Sequence, residues 1–294
     1  MNAEGGSIVN RCALRGNTEN TSVFRFDAQE IVRCAGCGLC FATPMPSREE
    51  IRGRYSAEYF EGAYGASLDP ESARDIGVDV FARIGQHRTG GRLLDVGCGA
   101  GEYLAAATAR GWESFGVDVS PYAAGVAAKR PGVTVRTGFL DEAQFENDFF
   151  DAALMIHSLE HQTDPPAVLA ELRRVLKPGG VLYISVPNIN SGAAKRMGRS
   201  WPGLQPGRHF YFFTPSTLRE MVTRAGFNVA GTDAFRGLIR GNNVDSLMGG
   251  RLGPALRGFV RRRFGGLIDA ARRGAARLSE GDAVTLLALK PEDA

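Results

Sequence analysis

Apolar and polar positions alternate along this chain in two different patterns. From residue 91 onward, short apolar runs that end near glycine or small polar residues predict strands buried in a parallel sheet. Between them, segments whose apolar residues recur every three or four positions predict helices. The predicted strands cover residues 91–97, 114–120, 133–138, 150–158 and 180–188. The predicted helices include 102–110 and 165–176, and another begins at Ser120 and Pro121.

The last part of the pattern completes a sheet. Thr214 and Pro215 are placed to begin a helix that Gly226 ends. Apolar segments at 227–235 and 283–291 predict two final strands, and the absence of a helical pattern close to them indicates an antiparallel pair. Strands that alternate with helices favour an α/β fold, here a doubly wound sheet of seven mostly parallel strands.

The segment before this sheet is organised differently. Residues 22–34 have a strand-like pattern and lead into a group of cysteines. Ser47 can cap a helix whose first turn holds Glu49 and Glu50, and a second helix is expected from about residue 71 to residue 84. We therefore divide the chain into a small cysteine-containing N-terminal arm, residues 1–46, and a larger domain, residues 47–294.

Length and composition limit the number of domains, the kinds of partner and the compartment that are possible. The 294 residues suffice for one large α/β domain with an appendage or for two domains. A formal net charge of +3 does not demand nucleic acid or an anionic membrane as a partner. The first ten residues contain no apolar segment of a signal peptide, and no run of about eighteen apolar residues predicts a membrane-spanning helix. We expect a cytoplasmic protein, in which clustered cysteines form metal or thiol sites before disulfides.

The charge is uneven in one place, an arginine-rich insertion at about residues 240–280. Residues 251–277 contain eight arginines and one acid, Asp269, among apolar side chains. The stretch fits a helix on a membrane surface near a lipid-linked substrate, a face that binds phosphates or nucleic acid, or a solvated helix packed on the sheet edge. Gly265 and Gly266 would interrupt a continuous helix, which weakens the interpretation as peripheral membrane contact.

Candidate chemistry begins at the first strand-to-helix turn, DVGCGAG. Gly97, Gly99 and Gly101 let the main chain approach a ligand closely, and the following helix offers unpaired N–H groups. Glu102 stands where the dinucleotide fingerprint has its last glycine, which disfavours a pyrophosphate and suits a nucleoside with a small zwitterionic tail. The alternative is a tight turn without a ligand.

Two acids strengthen the ligand interpretation. Asp118 lies at the end of the second predicted strand, where a carboxylate can accept hydrogen bonds from both hydroxyls of a ribose. Asp95 can fix the glycine turn or reach an ammonium group. The alternative for Asp118 is a surface acid that caps the next helix.

These motifs, with SLEHQTDPPAVLAELRRVLKPGGVLYISVPN and FTPSTLREMVTRAGF, resemble the class I S-adenosylmethionine-dependent methyltransferases. The similarity is greatest to a bacterial subgroup with a cysteine-bearing N-terminal arm, and it covers roughly residues 30–235 and the last strand. It implies a Rossmann-like methyltransferase fold and S-adenosyl-L-methionine as cofactor.

The resemblance also implies roles for individual residues. The methionine portion of the cofactor would be surrounded by Asp95, Gly97, Cys98, Gly99 and Gly101. The ribose and the adenine would be bound by Asp118, Val119, Phe139 and Leu140, with Asp141 as the candidate for an acid that the family often has after the third strand. Residues 156–158, which include His157, would lie beside the sulfonium. Tyr55 and Tyr59 would either cover the cofactor or pack in the core.

The methyl donor implied by this resemblance is already activated, so the protein mainly aligns the nucleophile and excludes water. A hydroxyl acceptor benefits from a general base, for which histidine is suited near neutral pH. The candidates are His157 and His161 after the fourth strand and His209 on a later loop. Arg208 could bind a phosphate or carboxylate of the acceptor. Each histidine has a structural alternative, in which its ring holds a loop in place.

The arm has a motif of its own, CAGCGLC. Cys34 and Cys37, followed by glycine, have the form of a zinc knuckle. The subgroup commonly supplies a second C-x-x-C upstream, but here Cys12 stands alone because Arg15 occupies the partner position. In this degenerate zinc-ribbon-like arm, Cys12, Cys34 and Cys37 are the expected ligands of a structural zinc, with Cys40, water or a carboxylate as the fourth. A metal-free knuckle and a thiol redox site are the alternatives.

The expected function is methylation of an O, N or C atom of a small molecule or of a lipid- or nucleotide-linked glycan, by direct in-line transfer. Methylation of DNA bases or adenine-type amines is disfavoured because IHSLEH differs from the turn that such enzymes carry there, and the near-neutral net charge disfavours RNA as a partner. Two alternatives stay open: an RNA methyltransferase that binds RNA through its arm and basic insertion, and a non-catalytic cofactor-binding protein. The sequence does not indicate an oligomeric state.

Overall fold

The computed structural model describes residues 11–27, 29–55, 77–235 and 281–292. The arginine-rich insertion at about 240–280 and the expected cofactor residue Tyr59 lie outside these described residues. The described strands are β1 (Asn20–Phe26), β2 (Gln29–Cys34), β3 (Cys40–Thr43), β4 (Gly91–Val96), β5 (Trp112–Asp118), β6 (Val133–Thr137), β7 (Phe150–Ile156), β8 (Leu176–Pro187), β9 (Tyr211–Phe212), β10 (Asn228–Phe235) and β11 (Ala283–Leu289).

The larger sheet has seven strands in the order β10-β11-β8-β7-β4-β5-β6. Neighbouring strands from β6 to β8 run parallel, whereas β11 is antiparallel to both β8 and β10. The predicted doubly wound, mostly parallel seven-stranded sheet is therefore confirmed. The two final strands are antiparallel as expected, with β11 inserted between β8 and the edge strand β10.

Helices within the described residues are α1 (Arg48–Arg54), α2 (Val78–Ile84), α3 (Glu102–Thr108), α4 (Pro121–Ala127), α5 (Pro165–Val175), α6 (Gly192–Met197) and α7 (Pro215–Arg224). Local sequence explains where several begin. Ser47 and Glu50 form a capping box at the start of α1, and the Ser120 hydroxyl caps α4. Thr214 caps α7, and Pro215 occupies its first turn.

One boundary differs from the sequence prediction. Strand β8 begins at Leu176, directly after α5 ends at Val175, rather than at residue 180. The reason is the pairing of Leu176 with Phe150 of β7, which draws the KPGG segment into the strand. The helix therefore ends because the chain joins the sheet, before the proline and glycines are reached.

The smaller sheet connects the arm to the rest of the chain. Strands β1, β2 and β3 form an antiparallel meander, and β3 pairs antiparallel with β9 through Cys40–Phe212 and Phe41–Tyr211. Because β9 belongs to the segment after β8, the arm and the larger domain share this sheet. The boundary at residue 46 stays a prediction about domains.

Buried side chains cover both faces of the larger sheet. Leu94 belongs to a cluster that also contains Phe41 of the arm and Phe213 after β9. Leu93, on the opposite face of β4, belongs to a second cluster with Leu104 of α3. The arm thus packs into the same core as the sheet. Among the described residues, no helix has the length and apolar character needed to cross a bilayer.

Candidate active site

The turn between β4 and α3 brings its main chain to the wall of a cleft. Gly97, Gly99 and Gly101 have φ angles of 74°, 54° and 79°, in the left-handed region that favours glycine. A Cβ at Gly97 would lie 2.5 Å from Ser158 Oγ, whereas a Cβ at Gly99 would meet no heavy atom of the described residues within 4 Å. Gly97 therefore permits close packing, and Gly99 borders open space.

The carboxylate of Asp118 ties this turn to the end of β5. Its Oδ2 accepts a 2.8 Å hydrogen bond from Gly99 N, and its Oδ1 accepts a 2.9 Å hydrogen bond from Ser120 N. Burial raises the pKa of Asp118, and the two main-chain N–H groups oppose that shift. Each oxygen keeps a further lone pair, so Asp118 can still accept hydrogen bonds from hydroxyls in the cleft that it lines.

Asp95, near the end of β4, is the more strongly perturbed acid. Its side chain is buried, and burial raises its pKa to about 8, with further contributions from the negative charges of Asp118 and Glu102. A cationic group bound nearby would stabilise the ionised carboxylate. This end of the sheet therefore favours a positively charged ligand.

A cleft that is partly open to solvent extends from the glycine turn. It lies at the carboxyl ends of the parallel strands, where α/β folds bind ligands. Its walls come from the segments after β4 to β7 and from α1. They comprise Ile51, Tyr55, Val96, Gly97, Gly99, Val117, Asp118, Val119, Gly138, Phe139, Leu140, His157, Ser158, His161 and Gln162.

The residues of this cleft fit the cofactor that the sequence resemblance implies. Ser158 Oγ is buried and has no hydrogen-bond partner among the described residues, so it can bond a polar group of a ligand. The open space at Gly99 can receive a ligand that passes close to the main chain. S-adenosyl-L-methionine carries a cationic sulfonium and an ammonium, which suit the acids Asp95 and Asp118.

Most of the sequence-predicted cofactor residues line the cleft, namely Gly97, Gly99, Asp118, Val119, Phe139, Leu140 and His157. Others lie behind its wall. Cys98 packs in the second core cluster, and a Cβ at Gly101 would lie 2.9 Å from Ala127 of α4. Asp95 is buried next to the turn. Contacts of all these residues with a cofactor stay predictions.

Five residues of the cleft were not singled out from the sequence: Ile51, Val96, Val117, Gly138 and Gln162. Gly138 directly follows β6, so its place after a predicted strand was a usable signal. Gln162 follows the short 3₁₀ turn Leu159–His161 after β7, in a motif already singled out for its histidines. Ile51 reaches the cleft through the packing of α1, for which the sequence contains no local signal.

Helix α1 is fastened over one side of the cleft by ion pairs. Arg48 and Arg52 each lie 2.5 Å from a carboxylate oxygen, of Asp141 and Glu142 respectively. Both guanidinium groups also lie over the ring of Phe139, at 4.3 and 5.1 Å from its centroid. Asp141, the sequence candidate for contact with adenine, is therefore engaged by Arg48 at the rim.

The three candidate histidines occupy different environments. His157 lines the cleft, is 37% exposed in its side chain, and has a φ of 53°, which is strained for a residue with a side chain. His161 also lines the cleft, and its Nδ1 lies 3.0 Å from the Tyr55 hydroxyl. His209 is 3% exposed and is not among the lining residues of the cleft.

The arm brings together the three cysteines predicted to hold zinc. The Sγ atoms of Cys12, Cys34 and Cys37 lie within 4.8 Å of one another, and those of Cys12 and Cys37 are 3.5 Å apart. Cys40 lies outside this group and is packed in a separate cluster with Ile31. Three thiols at these distances fit three positions of a tetrahedral site.

Residues 71–231 match a family model described as a methyltransferase domain. A ubiquinone biosynthesis O-methyltransferase of Cereibacter sphaeroides is 34% identical in an alignment of 148 residues that covers 47% of this chain and 60% of that protein. An O-methyltransferase of Pyrenophora dematioidea is 31% identical in an alignment of 194 residues that covers 60% of this chain and 68% of that protein. The chain thus spans less than two thirds of the length of the ubiquinone relative.

Solved structures share the fold. A phosphoethanolamine N-methyltransferase 2 of Haemonchus contortus, in complex with S-adenosyl-L-methionine, is 19% identical with a TM-score of 0.57, over 86% of this chain and 63% of that chain. The [4+2]-cyclase SpnF is 24% identical with a TM-score of 0.53, over 77% of this chain and 83% of that chain. One fold thus serves proteins named for different reactions.

Proposed function

The chain belongs to the methyltransferase-domain family, as its resemblance to the class I S-adenosylmethionine-dependent methyltransferases indicated, and on that premise we propose that it transfers a methyl group to a hydroxyl of a small molecule. The observation that carries the proposal is the cleft itself. A glycine turn, the carboxylate of Asp118 and an unpartnered Ser158 hydroxyl meet there at the carboxyl edge of the sheet, among the described residues.

Each part of the cleft has a role in binding the cofactor. Asp118 accepts hydrogen bonds from the ribose, and Phe139 and Leu140 pack against the adenine. The open space beside Gly99 takes the methionine portion, and the nearby Asp95 favours its positive charge. When bound, S-adenosyl-L-methionine supplies an activated methyl group. The protein then contributes alignment and exclusion of water, which α1 provides by covering one side of the cleft.

His157 is the side chain best placed to take the proton of the acceptor hydroxyl. It is half-exposed, it lines the cleft, and its ring is held by Glu160, whose Oε1 lies 3.4 Å from His157 Nδ1. The strained main chain at His157 supports a functional position, since strain persists where the surrounding structure imposes it. His209 is less suited to this task because it is buried outside the lining of the cleft.

The relatives support oxygen as the atom methylated, since the names of both curated proteins describe O-methyltransferases. A lipid- or nucleotide-linked glycan stays the narrower proposal for the acceptor, on the resemblance to the bacterial subgroup. We likewise propose a cytoplasmic location, because clustered thiols that can bind metal suit a reducing compartment.

We propose that Cys12, Cys34 and Cys37 hold a structural zinc ion with water or a carboxylate as the fourth ligand. The close approach of the three thiols supports this arrangement, and the separate packing of Cys40 makes it a poor fourth ligand. Elemental analysis of protein purified without chelator tests the idea. Less than about a tenth of an equivalent of zinc would rule it out.

The central test combines binding with turnover. Calorimetry with S-adenosyl-L-methionine should show one site, and incubation with a panel of phenols, sugars, hydroxy acids and RNA should yield S-adenosylhomocysteine and a methylated hydroxyl compound by mass spectrometry. His157→Ala should lower kcat by about 10²-fold or more, a much larger factor than the accompanying change in cofactor affinity. Absence of cofactor binding would refute the proposal. Binding without product from any acceptor would favour a non-catalytic protein or another reaction on this fold.

A further inference from the structure

Glu160, His161 and His209 form a cluster beside the cofactor cleft, and the proposed methyl transfer uses only one atom of it, the Glu160 Oε1 that approaches His157. One donor atom of each residue lies within 4.8 Å of the donor atoms of the other two. The two imidazole centroids are 4.6 Å apart, and the rings are nearly perpendicular at 83°. Glu160 and His209 are buried, while His161 lines the cleft. The cluster therefore extends from the interior to the cleft wall.

The carboxylate of Glu160 lacks a partner on one of its oxygens. The residue is 1% exposed, and its Oε1 approaches His157 Nδ1. Its Oε2 is buried and has no hydrogen-bond partner within the part of the chain that the structure describes. An unsatisfied oxygen on a buried charged group lowers the stability of the fold, and a bound cation would remove that deficit.

Each imidazole of the cluster has a main-chain carbonyl oxygen at its Nδ1, and the Nδ1 of His161 is also 3.0 Å from the Tyr55 hydroxyl, which can accept as well. His161 Nδ1 lies 2.9 Å from the carbonyl oxygen of Arg208, and His209 Nδ1 lies 2.8 Å from the carbonyl oxygen of Gly203. A carbonyl oxygen can only accept, so each Nδ1 carries the proton and each Nε2 keeps its lone pair. Histidines that bind metals are commonly oriented in this way by a second hydrogen bond.

Main-chain hydrogen bonds hold the cluster in place before any ligand arrives. Phe210 N donates to the carbonyl oxygen of Glu160 at 2.8 Å, which fastens the loop of His209 to the turn after β7. His209 N donates to the carbonyl oxygen of Gln205 at 3.1 Å. The donor groups are therefore positioned by the fold, which favours binding without a large rearrangement.

We propose that Glu160, His161 and His209 bind a divalent first-row transition metal ion through Oε2 and the two Nε2 atoms. Two imidazoles and one carboxylate suit Zn²⁺, Co²⁺ or Fe²⁺ and leave coordination positions open, whereas Mg²⁺ and Ca²⁺ prefer oxygen ligands alone. Because His161 lines the cleft, an open position can take a hydroxyl oxygen of the methyl acceptor. That last role rests on the proposed function, but the metal binding itself does not.

Titration of the cofactor-free protein with Co²⁺ tests the site. A cobalt ion bound by two imidazoles and a carboxylate gives visible d–d bands, whereas an ion bound by the cysteines of the arm also gives thiolate-to-cobalt charge transfer in the near ultraviolet. Glu160→Gln and His209→Asn should each weaken cobalt binding at the proposed site, which is followed by the d–d bands without thiolate charge transfer, by at least about tenfold. Asparagine at 209 keeps a donor for the Gly203 carbonyl and lacks the Nε2 ligand. The exposed His87→Asn is the matched control.

Unchanged cobalt affinity in both variants would overturn the proposal. Should a variant fail to fold by circular dichroism, the cobalt-loaded wild-type protein decides: its proton NMR spectrum should show hyperfine-shifted imidazole N–H signals from two histidines, and their absence would overturn the proposal. The affinity for S-adenosyl-L-methionine is measured in parallel. If the wild-type protein binds the cofactor but not cobalt, the result counts against the metal site alone. If it binds cobalt but not the cofactor, the result counts against the methyltransferase proposal alone.

Discussion

At the scale of single residues, Asp118 both shapes the cofactor cleft and presents acceptors to it. Its two oxygens bond the main chain of Gly99 and Ser120, which fixes the glycine turn against the end of β5. The remaining lone pairs are available to a ribose. Substitution of Asp118 thus acts on the ligand directly and on the turn that holds the ligand.

Asp118→Ala should weaken S-adenosyl-L-methionine binding by at least about tenfold, because the ribose acceptors are lost and two main-chain N–H groups lose their partner. Asp118→Asn keeps one acceptor oxygen and should give an intermediate affinity. Isothermal calorimetry measures both. Glu113→Ala, at the opposite and exposed end of the same strand, is the control. An unchanged affinity in Asp118→Ala would show that the cofactor binds elsewhere.

Asp95 predicts an unusual dependence of stability on pH. Its pKa is about 8 in the folded protein and near 3.8 when unperturbed, so between these values the folded chain holds a proton that the unfolded chain releases. The free energy of unfolding of the ligand-free protein should therefore fall as pH rises from about 4 to about 8, by up to ~1.4 kcal/mol per pH unit from this group, and then level off.

Urea unfolding of the wild type and of Asp95→Asn at pH 5 and pH 8 checks this prediction. The wild type should lose more stability than the variant between the two pH values, since asparagine does not titrate. Equal losses in the two proteins would contradict the assignment of a raised pKa to Asp95.

At the scale of elements, α1 and the segment after β6 act as one unit at the rim of the cleft. Arg48 and Arg52 of α1 pair with Asp141 and Glu142, respectively. Both guanidinium groups also lie over the ring of Phe139. All four charged side chains are partly exposed, so each ion pair contributes little by itself. Their joint effect is to keep Ile51 and Tyr55 in the cleft wall.

Replacement of both Arg48 and Arg52 by alanine should lower the cofactor affinity by about fivefold, the equivalent of ~1 kcal/mol, because α1 is then less firmly held over the cleft. The wild-type affinity should fall more steeply with added salt than the affinity of the double variant, which lacks these two ion pairs. Arg25→Ala, which breaks an exposed ion pair in the β1–β2 hairpin, serves as the control. Wild-type affinity in the double variant would contradict a role for this rim.

The sheet was predictable from sequence because its signals are local. The apolar runs, the caps Ser47, Ser120 and Thr214, and the glycine turn each lie within a few residues of the element that they define. The packing of the α1 arginines over Phe139 was not predictable, because Arg52 and the Glu142 that it pairs with are ninety residues apart in the chain. The cluster of Glu160 and His209 was not predictable either, because these residues are far apart in the chain and meet only where a loop after β8 returns to the end of β7.

At the scale of the whole molecule, the arm and the larger domain share one hydrophobic core. If this core governs the cooperativity of unfolding, the two parts unfold as one unit. Phe41 of β3 is 1% exposed and lies in the same cluster as Leu94 of the central strand. Its ring stacks on Tyr211 of β9, with centroids 6.4 Å apart. Packing thus links the smaller sheet to the larger one through Phe41 and other buried side chains of the arm, including Leu39 and Ala42.

Phe41→Ala should lower the free energy of unfolding by about 3–5 kcal/mol, because it leaves a cavity in this shared core. The loss should appear in one transition that both near- and far-ultraviolet circular dichroism follow. Phe24→Ala, in the half-buried part of the hairpin, should cost markedly less. A separate early transition of the arm in Phe41→Ala would show that the two sheets unfold independently.

The pairing of β3 with β9 has a consequence for biosynthesis. Cys40 and Phe212 are neighbours in the sheet but are far apart along the chain, so β3 emerges from the ribosome long before its partner strand. During that interval the three-stranded meander has an open edge, and the arm lacks the core that later buries it. Cys12 and Cys34, which are buried in the shared core of the folded chain, lack that cover during the interval, so we expect their thiols to react most readily before β9 joins the sheet.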